Sequence, residues 1–191
     1  MLILLSRHGE SEYNLVNKIG GDPPLSLNGV NYAESVSDFC TKNNWVPKKC
    51  ITSTKKRTNQ TCKYLENYMI SIEQYSELDE INGGIAEHLT YEEFAGKYPD
   101  ENMKRKVNKL TYRYPEGESY EDLIQRTEPI ANGVLEKRED VFIVAHRAII
   151  RTLLYHFLGL DKNTIPTIDI PLHKIIMIKD GIMVLLDVEK Q

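Results

Sequence analysis

The sequence predicts a single α/β domain over residues 1–191, a three-layer fold with a mainly parallel central sheet and helices on both faces. Three observations carry that prediction. Leu2-Ile3-Leu4-Leu5 and Val141-Phe142-Ile143-Val144-Ala145 are short apolar runs of the kind that form buried strands. Strand-like and helix-like segments alternate through most of the chain. The chain has 191 residues, 41% of them hydrophobic and 27% charged, which suits one soluble globular domain.

Residues 2–6 form the first strand. Gly9, Gly20, Gly21, Pro23 and Pro24 then mark a long loop, with a helical turn near Glu12 to Val16. Ser26 is a good N-cap for a helix to about Asn43, with Leu27, Val30, Ala33, Val36 and Phe39 on one face. Cys50-Ile51-Thr52 reads as a short strand, followed by a helix from about Arg57 to Tyr68 and a brief strand at Ile70-Ser71-Ile72. Leu78 to Gly84 is a loop around a carboxylate pair. Thr90 and Glu93 make a capping box for a short helix that Pro99 stops near Tyr98. Residues 102–114 are basic. Ser119 caps a long helix with Leu123, Ile130, Val134 and Leu135 toward the core, and Pro129 predicts a kink or break in it. A helix from about Ala148 to Leu158 follows the 141–145 strand. Asp180-Gly181, between Ile175–Ile178 and Met183–Asp187, signals a closing hairpin.

Composition excludes several function classes. A net charge of −4 argues against bulk nucleic-acid binding. No apolar run approaches the ~20 residues of a membrane helix, and Met1 to Leu5 is too short for a signal-peptide core. The three cysteines, Cys40, Cys50 and Cys62, are odd in number and include no Cys-x-x-Cys pair. This predicts half-buried thiols in a reducing, cytoplasmic setting. The five histidines form no metal-spaced cluster, so no metal or cofactor is expected. His156 reads as structural, and His88 and His173 as surface or supporting residues.

In parallel α/β sheets, ligands bind beyond the carboxyl ends of the strands. Three such ends are informative: Arg7-His8, Thr52-Ser53 leading to Arg57, and His146-Arg147. Their convergence with Arg151 would put two imidazoles and several guanidiniums in one crevice, a setting for a phosphoryl dianion. An imidazole can attack phosphorus while guanidiniums fork onto its oxygens. Asp79, Glu80 and Glu87 are all candidates for a general acid, and spacing does not choose among them.

Arg7-His8-Gly9-Glu10 resembles the signature of the histidine phosphatase (phosphoglycerate mutase-like) superfamily. Further segments resemble the bisphosphatase half of the 6-phosphofructo-2-kinase/fructose-2,6-bisphosphatase family. They include Ser11-Glu12-Tyr13-Asn14, Lys18-Ile19-Gly20-Gly21-Asp22, Leu78-Asp79-Glu80-Ile81, Tyr112-Arg113-Tyr114-Pro115 and Ile170-Pro171-Leu172-His173. The similarity runs from Leu2 to about Ile178, without the kinase half. It implies that His8 is the nucleophile, carrying a transient phosphohistidine. Arg7, Arg57 and His146 would hold the transferred phosphoryl group, helped by Asn14. Glu80 would be the general acid and then the base. Tyr91, Arg105, Lys109 and Arg113 would clasp the phosphate that is not removed. Ile19 and Gly20 would lend backbone contacts to the sugar, and Arg151 would reach the ligand. Arg105, Lys109 and Arg113 are spaced by four, so a helix would stack them on one side.

The implied function is hydrolysis of the 2-phosphate of fructose 2,6-bisphosphate, with a small sugar phosphate as the binding partner. A broader sugar-phosphate phosphatase or a phosphoglycerate mutase is the enzymatic rival. A non-catalytic sensor of a phosphorylated ligand is the rival of another class. One departure bears on substrate: the family usually has glutamine directly after the second histidine, and this chain has Arg147.

Overall fold

A computed structural model of the chain describes residues 1–45, 47–66 and 71–188. The expected end of a helix at Tyr68 and strand start at Ile70 lie outside these residues. Among the described residues, six strands form one sheet: β1 (Leu2–Arg7), β2 (Lys49–Thr52), β3 (Ser71–Gln74), β4 (Val141–Ala145), β5 (Lys174–Lys179) and β6 (Ile182–Asp187). Their order is β3-β2-β4-β1-β5-β6. The first four run parallel, and β5 and β6 are antiparallel additions at one edge.

Side-chain alternation along the strands divides the core into two layers. Ile3 and Leu5 of β1 and Val141, Ile143 and Ala145 of β4 join one buried cluster. Leu4 of β1 and Phe142 and Val144 of β4 join the other. The first layer is covered by α6 (Tyr120–Lys137) and α7 (Arg147–Leu158), which contribute Leu123, Ala131, Ile149 and Leu153. After the short α1 (Glu12–Leu15) in the loop beyond β1, α2 (Leu27–Lys42) and α3 (Lys56–Cys62) cover the second layer and contribute Tyr32, Val36, Cys40 and Cys62. The three-layer, mainly parallel architecture is therefore the one the sequence predicts. Asp180 and Gly181 turn the β5–β6 hairpin with positive φ at both positions, as a tight primed turn requires.

Several expectations need correction. The buried face of α2 is Gly29, Tyr32, Ala33, Val36, Ser37 and Cys40, because spacing alternates between three and four; Leu27 is exposed and Phe39 half-buried. Leu135 of α6 is likewise exposed. This helix runs unbroken through Pro129, held by buried Leu123, Thr127 and Ala131. All three cysteines are fully buried and free, and burial pushes the Cys40 thiol up to about 12. No helix among the described residues is long and apolar enough to cross a membrane.

A third, smaller cluster lies over the strand ends. It packs Phe94 of α4 (Tyr91–Lys97) on Ala86, Ile19, Tyr112 and Tyr114. Pro99 ends α4 as expected and also starts the next helix, α5 (Pro99–Val107), where its missing N–H costs nothing. That second helix departs from expectation, and it stops at Val107. The Asn108 carboxamide accepts from the N–H groups of Leu110 and Thr111, and this local turn competes with further helix. Lys109 and Arg113 therefore lie beyond the helix that carries Arg105 and do not stack on its face.

Candidate active site

The sheet register builds the centre of the site. Arg7 pairs with Ala145 across β1 and β4, so the next residues, His8 and His146, leave the sheet side by side. The His8 N–H donates to the Ala145 carbonyl at 3.0 Å. The two imidazole rings lie 5.2 Å apart and are both buried. Gly9 then carries the chain against α2, where a side chain would strike the Gly29 carbonyl oxygen at 2.5 Å.

The protonation of His8 follows from its partner. Its Nδ1 lies 2.7 Å from the Gly9 carbonyl oxygen, which can only accept, so Nδ1 carries the proton and Nε2 keeps a lone pair. Burial, then Arg7 and Arg57, depress its pKa well below 6.5, so the ring is neutral at pH 7. His146 is neutral for the same reasons, burial first and then Arg57. Its Nε2 meets the Ser53 hydroxyl at 2.8 Å, and Ser53 meets Thr58 at 2.7 Å. Two buried nitrogens have no hydrogen-bond partner among the described residues: Nδ1 of His146 and Nε of Arg7.

Arg57 is buried in the first turn of α3, where its Nη1 donates to the Gly21 carbonyl at 3.0 Å. Burial lowers the pKa of Arg7 to about 10, partly opposed by Glu80, and it remains a cation at neutral pH. Glu80 shares a cavity wall with Arg7, His8 and Arg57. Its Oε1 accepts from the Ile81 N–H at 3.0 Å. Asn14 stands on the same wall. Its Oδ1 is taken by the Ser11 N–H and hydroxyl, which leaves the NH2 group as the amide's remaining donor.

The cavity has a volume of about 330 Å³, and a second group of cations shares it: Arg105, Lys109, Arg147 and Arg151. Arg151 is buried, donating from Nε to the Ile168 carbonyl and from Nη1 to the Tyr120 hydroxyl, both at 2.7 Å. Arg105 donates to the Tyr114 hydroxyl at 2.7 Å and lies 5.4 Å from the Tyr91 ring centroid. Burial and the neighbouring Arg105, Arg151 and Arg147 lower the pKa of Lys109. Arg147 also faces Asp169, at 3.8 Å. Ile19 and Gly20 complete the wall. Gly20 has a φ of +66°, and a Cβ there would overlap the Glu87 carboxylate.

Two residues of the expected site are not on this cavity's wall: His146, which is fully buried beside His8, and Arg113. Arg113 turns away to pair with Asp122 and to donate to the Gly117 carbonyl. Sequence reasoning in turn missed Ser11, Tyr13, Lys18, Tyr112, Tyr114 and Tyr120 on the wall. The tyrosines at 112 and 114 alternate in sequence, but they face a loop cluster and no regular period reveals them. His88 bonds the Tyr13 hydroxyl at 2.8 Å, and His173 accepts from the Glu10 N–H at 3.3 Å, so both support the site's edges. His156 holds the Ile124 carbonyl at 3.0 Å, a structural contact.

This pairing of histidines among guanidiniums has relatives. The profile of the histidine phosphatase superfamily (branch 1) matches residues 3–180. The chain belongs to that superfamily. Human 6-phosphofructo-2-kinase/fructose-2,6-bisphosphatase 4 is 44% identical over 174 residues, which are 91% of this chain and 36% of that protein. The mouse protein 6-phosphofructo-2-kinase/fructose-2,6-bisphosphatase 1 is 43% identical over the same shares. This histidine phosphatase chain thus spans about a third of the length of those relatives. Among solved structures, mycobacterial glucosyl-3-phosphoglycerate phosphatase in complex with VO3 superposes with a TM-score of 0.82 at 22% identity, over 99% of this chain and 98% of that one. Bacillus stearothermophilus YhfR gives 0.80 at 24% identity, over 96% and 94%. The shared fold is that of the phosphoglycerate mutase-like histidine phosphatases.

Proposed function

We propose that this chain hydrolyses a sugar bisphosphate, fructose 2,6-bisphosphate, releasing the 2-phosphate through a phosphohistidine on His8. The observation that carries the reading is one cavity lined by Arg7 and Arg57 and also by Arg105, Lys109, Arg147 and Arg151, with the neutral imidazole of His8 beside Arg7. The fructose-2,6-bisphosphatase relatives give the substrate its name.

In the first step, Nε2 of His8 attacks phosphorus and the bond to the sugar oxygen breaks. Arg7 and Arg57 hold the equatorial phosphoryl oxygens, and the unpartnered nitrogens of Arg7 and His146 are suited to add contacts there. Glu80 gives its proton to the departing oxygen. It then takes one from the water that cleaves the phosphohistidine, so one carboxyl serves both half-reactions. Arg105, Lys109 and Arg151 grip the 6-phosphate, with Tyr91 stacked on Arg105.

Phosphate release from fructose 2,6-bisphosphate by wild type and His8→Ala tests the proposal. Wild type releases one phosphate per sugar and His8→Ala releases none. Turnover surviving His8→Ala would remove the nucleophile assignment. Release from other sugar phosphates but not from this one would remove the substrate.

A further inference from the structure

One side chain outside the cavity grips the loop that carries Glu80 at several points. Arg126, in the second turn of α6, uses all five of its N–H donors. Nη1 donates to the carbonyls of Ser76 at 3.2 Å and Glu77 at 2.7 Å. Nη2 donates to the carbonyl of Asp79, the residue before Glu80, at 3.0 Å. Nε and Nη2 also fork onto Glu118, at 3.0 Å each. Glu118 in turn accepts from the Asn82 N–H at 2.9 Å, two residues after Glu80.

The Arg126–Glu118 ion pair therefore ties the backbone immediately before and shortly after Glu80, alongside the Thr54 donors on the Asp79 carboxylate and the Glu118 N–H on the Asn82 carbonyl. Arg126 is not on the wall of the catalytic cavity. Among the described residues, the Glu80 carboxylate hydrogen-bonds only the adjacent Ile81 N–H, so its aim depends on where its backbone is held. A general acid acts only within hydrogen-bond reach of the oxygen it protonates. A displacement of about 1 Å costs on the order of 100-fold in rate.

We propose that Arg126, with Glu118, is a positioning residue that aims Glu80 at the leaving oxygen. This rests on the reading of Glu80 as the general acid. The consequence is selective: a sugar hydroxylate needs a proton to leave, whereas a dinitrophenolate leaves without one. Loss of aim must therefore slow phosphoryl transfer from the sugar and spare transfer from the aryl ester.

The experiment compares kcat/KM, which reports transfer to His8, on fructose 2,6-bisphosphate and on 2,4-dinitrophenyl phosphate. The variants are Glu80→Gln, Arg126→Gln, Arg126→Lys and the double variant Glu80→Gln with Arg126→Gln. Arg126→Gln falls about 10- to 100-fold on the sugar and stays within about threefold on the aryl ester. Arg126→Lys keeps the charge but not the fork, and falls between. The double variant is no slower on the sugar than Glu80→Gln alone, since one acid is lost once. A selective Glu80→Gln with an Arg126→Gln that slows both substrates equally overturns this proposal alone. A Glu80→Gln that slows both equally, or neither, overturns the acid assignment and the proposal with it.

Discussion

Neighbouring cations in the second group of the site have different fates that only the structure separates. Arg105 and Lys109 face the cavity, whereas Arg113, four residues on, pairs with Asp122. Arg105→Ala or Lys109→Ala should raise KM for the bisphosphate about 10-fold or more, the scale of a charge-assisted hydrogen bond at ~1.5–3 kcal/mol. Arg113→Ala should leave KM within about twofold, because its guanidinium is engaged by Asp122 and the Gly117 carbonyl and does not line the cavity. Steady-state kinetics on the three variants decides; a KM shift for Arg113→Ala equal to the others would return it to the site. The misplacement has a plain cause. A period of four is legible only while the helix lasts, and the Asn108 side chain ends α5 before the second cation. Strand-borne residues were easier. His8 and His146 were legible as a pair because each directly follows an apolar strand. The bond of Ser53 to His146 and the hold of Arg126 on the 76–79 loop were not, since each spans 47 or more residues.

Helix ends were the most legible elements of this fold, because their signals are local. Ser119 and Asp122 form a reciprocal capping box at the start of α6. Thr90 and Glu93 do the same for α4. Both follow from four adjacent residues. The buried face of α2 depends on what packs opposite it, and there a strict spacing of three drifted away from the observed stripe. Pro129 does not break α6, which carries buried Leu123, Thr127 and Ala131 on either side of it. The cap can be tested directly. Ser119 is buried, and its hydroxyl both accepts from the Asp122 N–H and donates to the Asp122 carboxylate. Ser119→Ala should therefore lower unfolding stability by about 1–2 kcal/mol, near the upper part of the range for lost N-caps. Urea denaturation measures it; a midpoint unchanged from wild type would show that the cap contributes nothing.

At the scale of the molecule, a net charge of −4 hides a cavity whose wall gathers cations around Glu80. Holding two imidazoles neutral in that field has a thermodynamic consequence. In the unfolded chain each histidine takes up a proton near pH 6.5, whereas in the folded chain burial and the arginines push that uptake well below 6.5. Between those values the unfolded state binds more protons, so stability rises with pH, and it falls as the solution is acidified below about 6.5. Above about pH 7.5 both states carry neutral rings and neither histidine contributes a slope. Within the acid window each contributes up to about 1.4 kcal/mol per pH unit. Urea unfolding at pH 7.5, 6.5 and 5.5 should show the loss, and His8→Asn with His146→Asn should flatten it while removing the nucleophile. Equal slopes in wild type and the double variant would place the acid sensitivity in other groups. The same burial and neighbouring arginines that make the fold acid-sensitive keep Nε2 of His8 unprotonated, so the condition for nucleophilic attack and the instability at low pH have one origin.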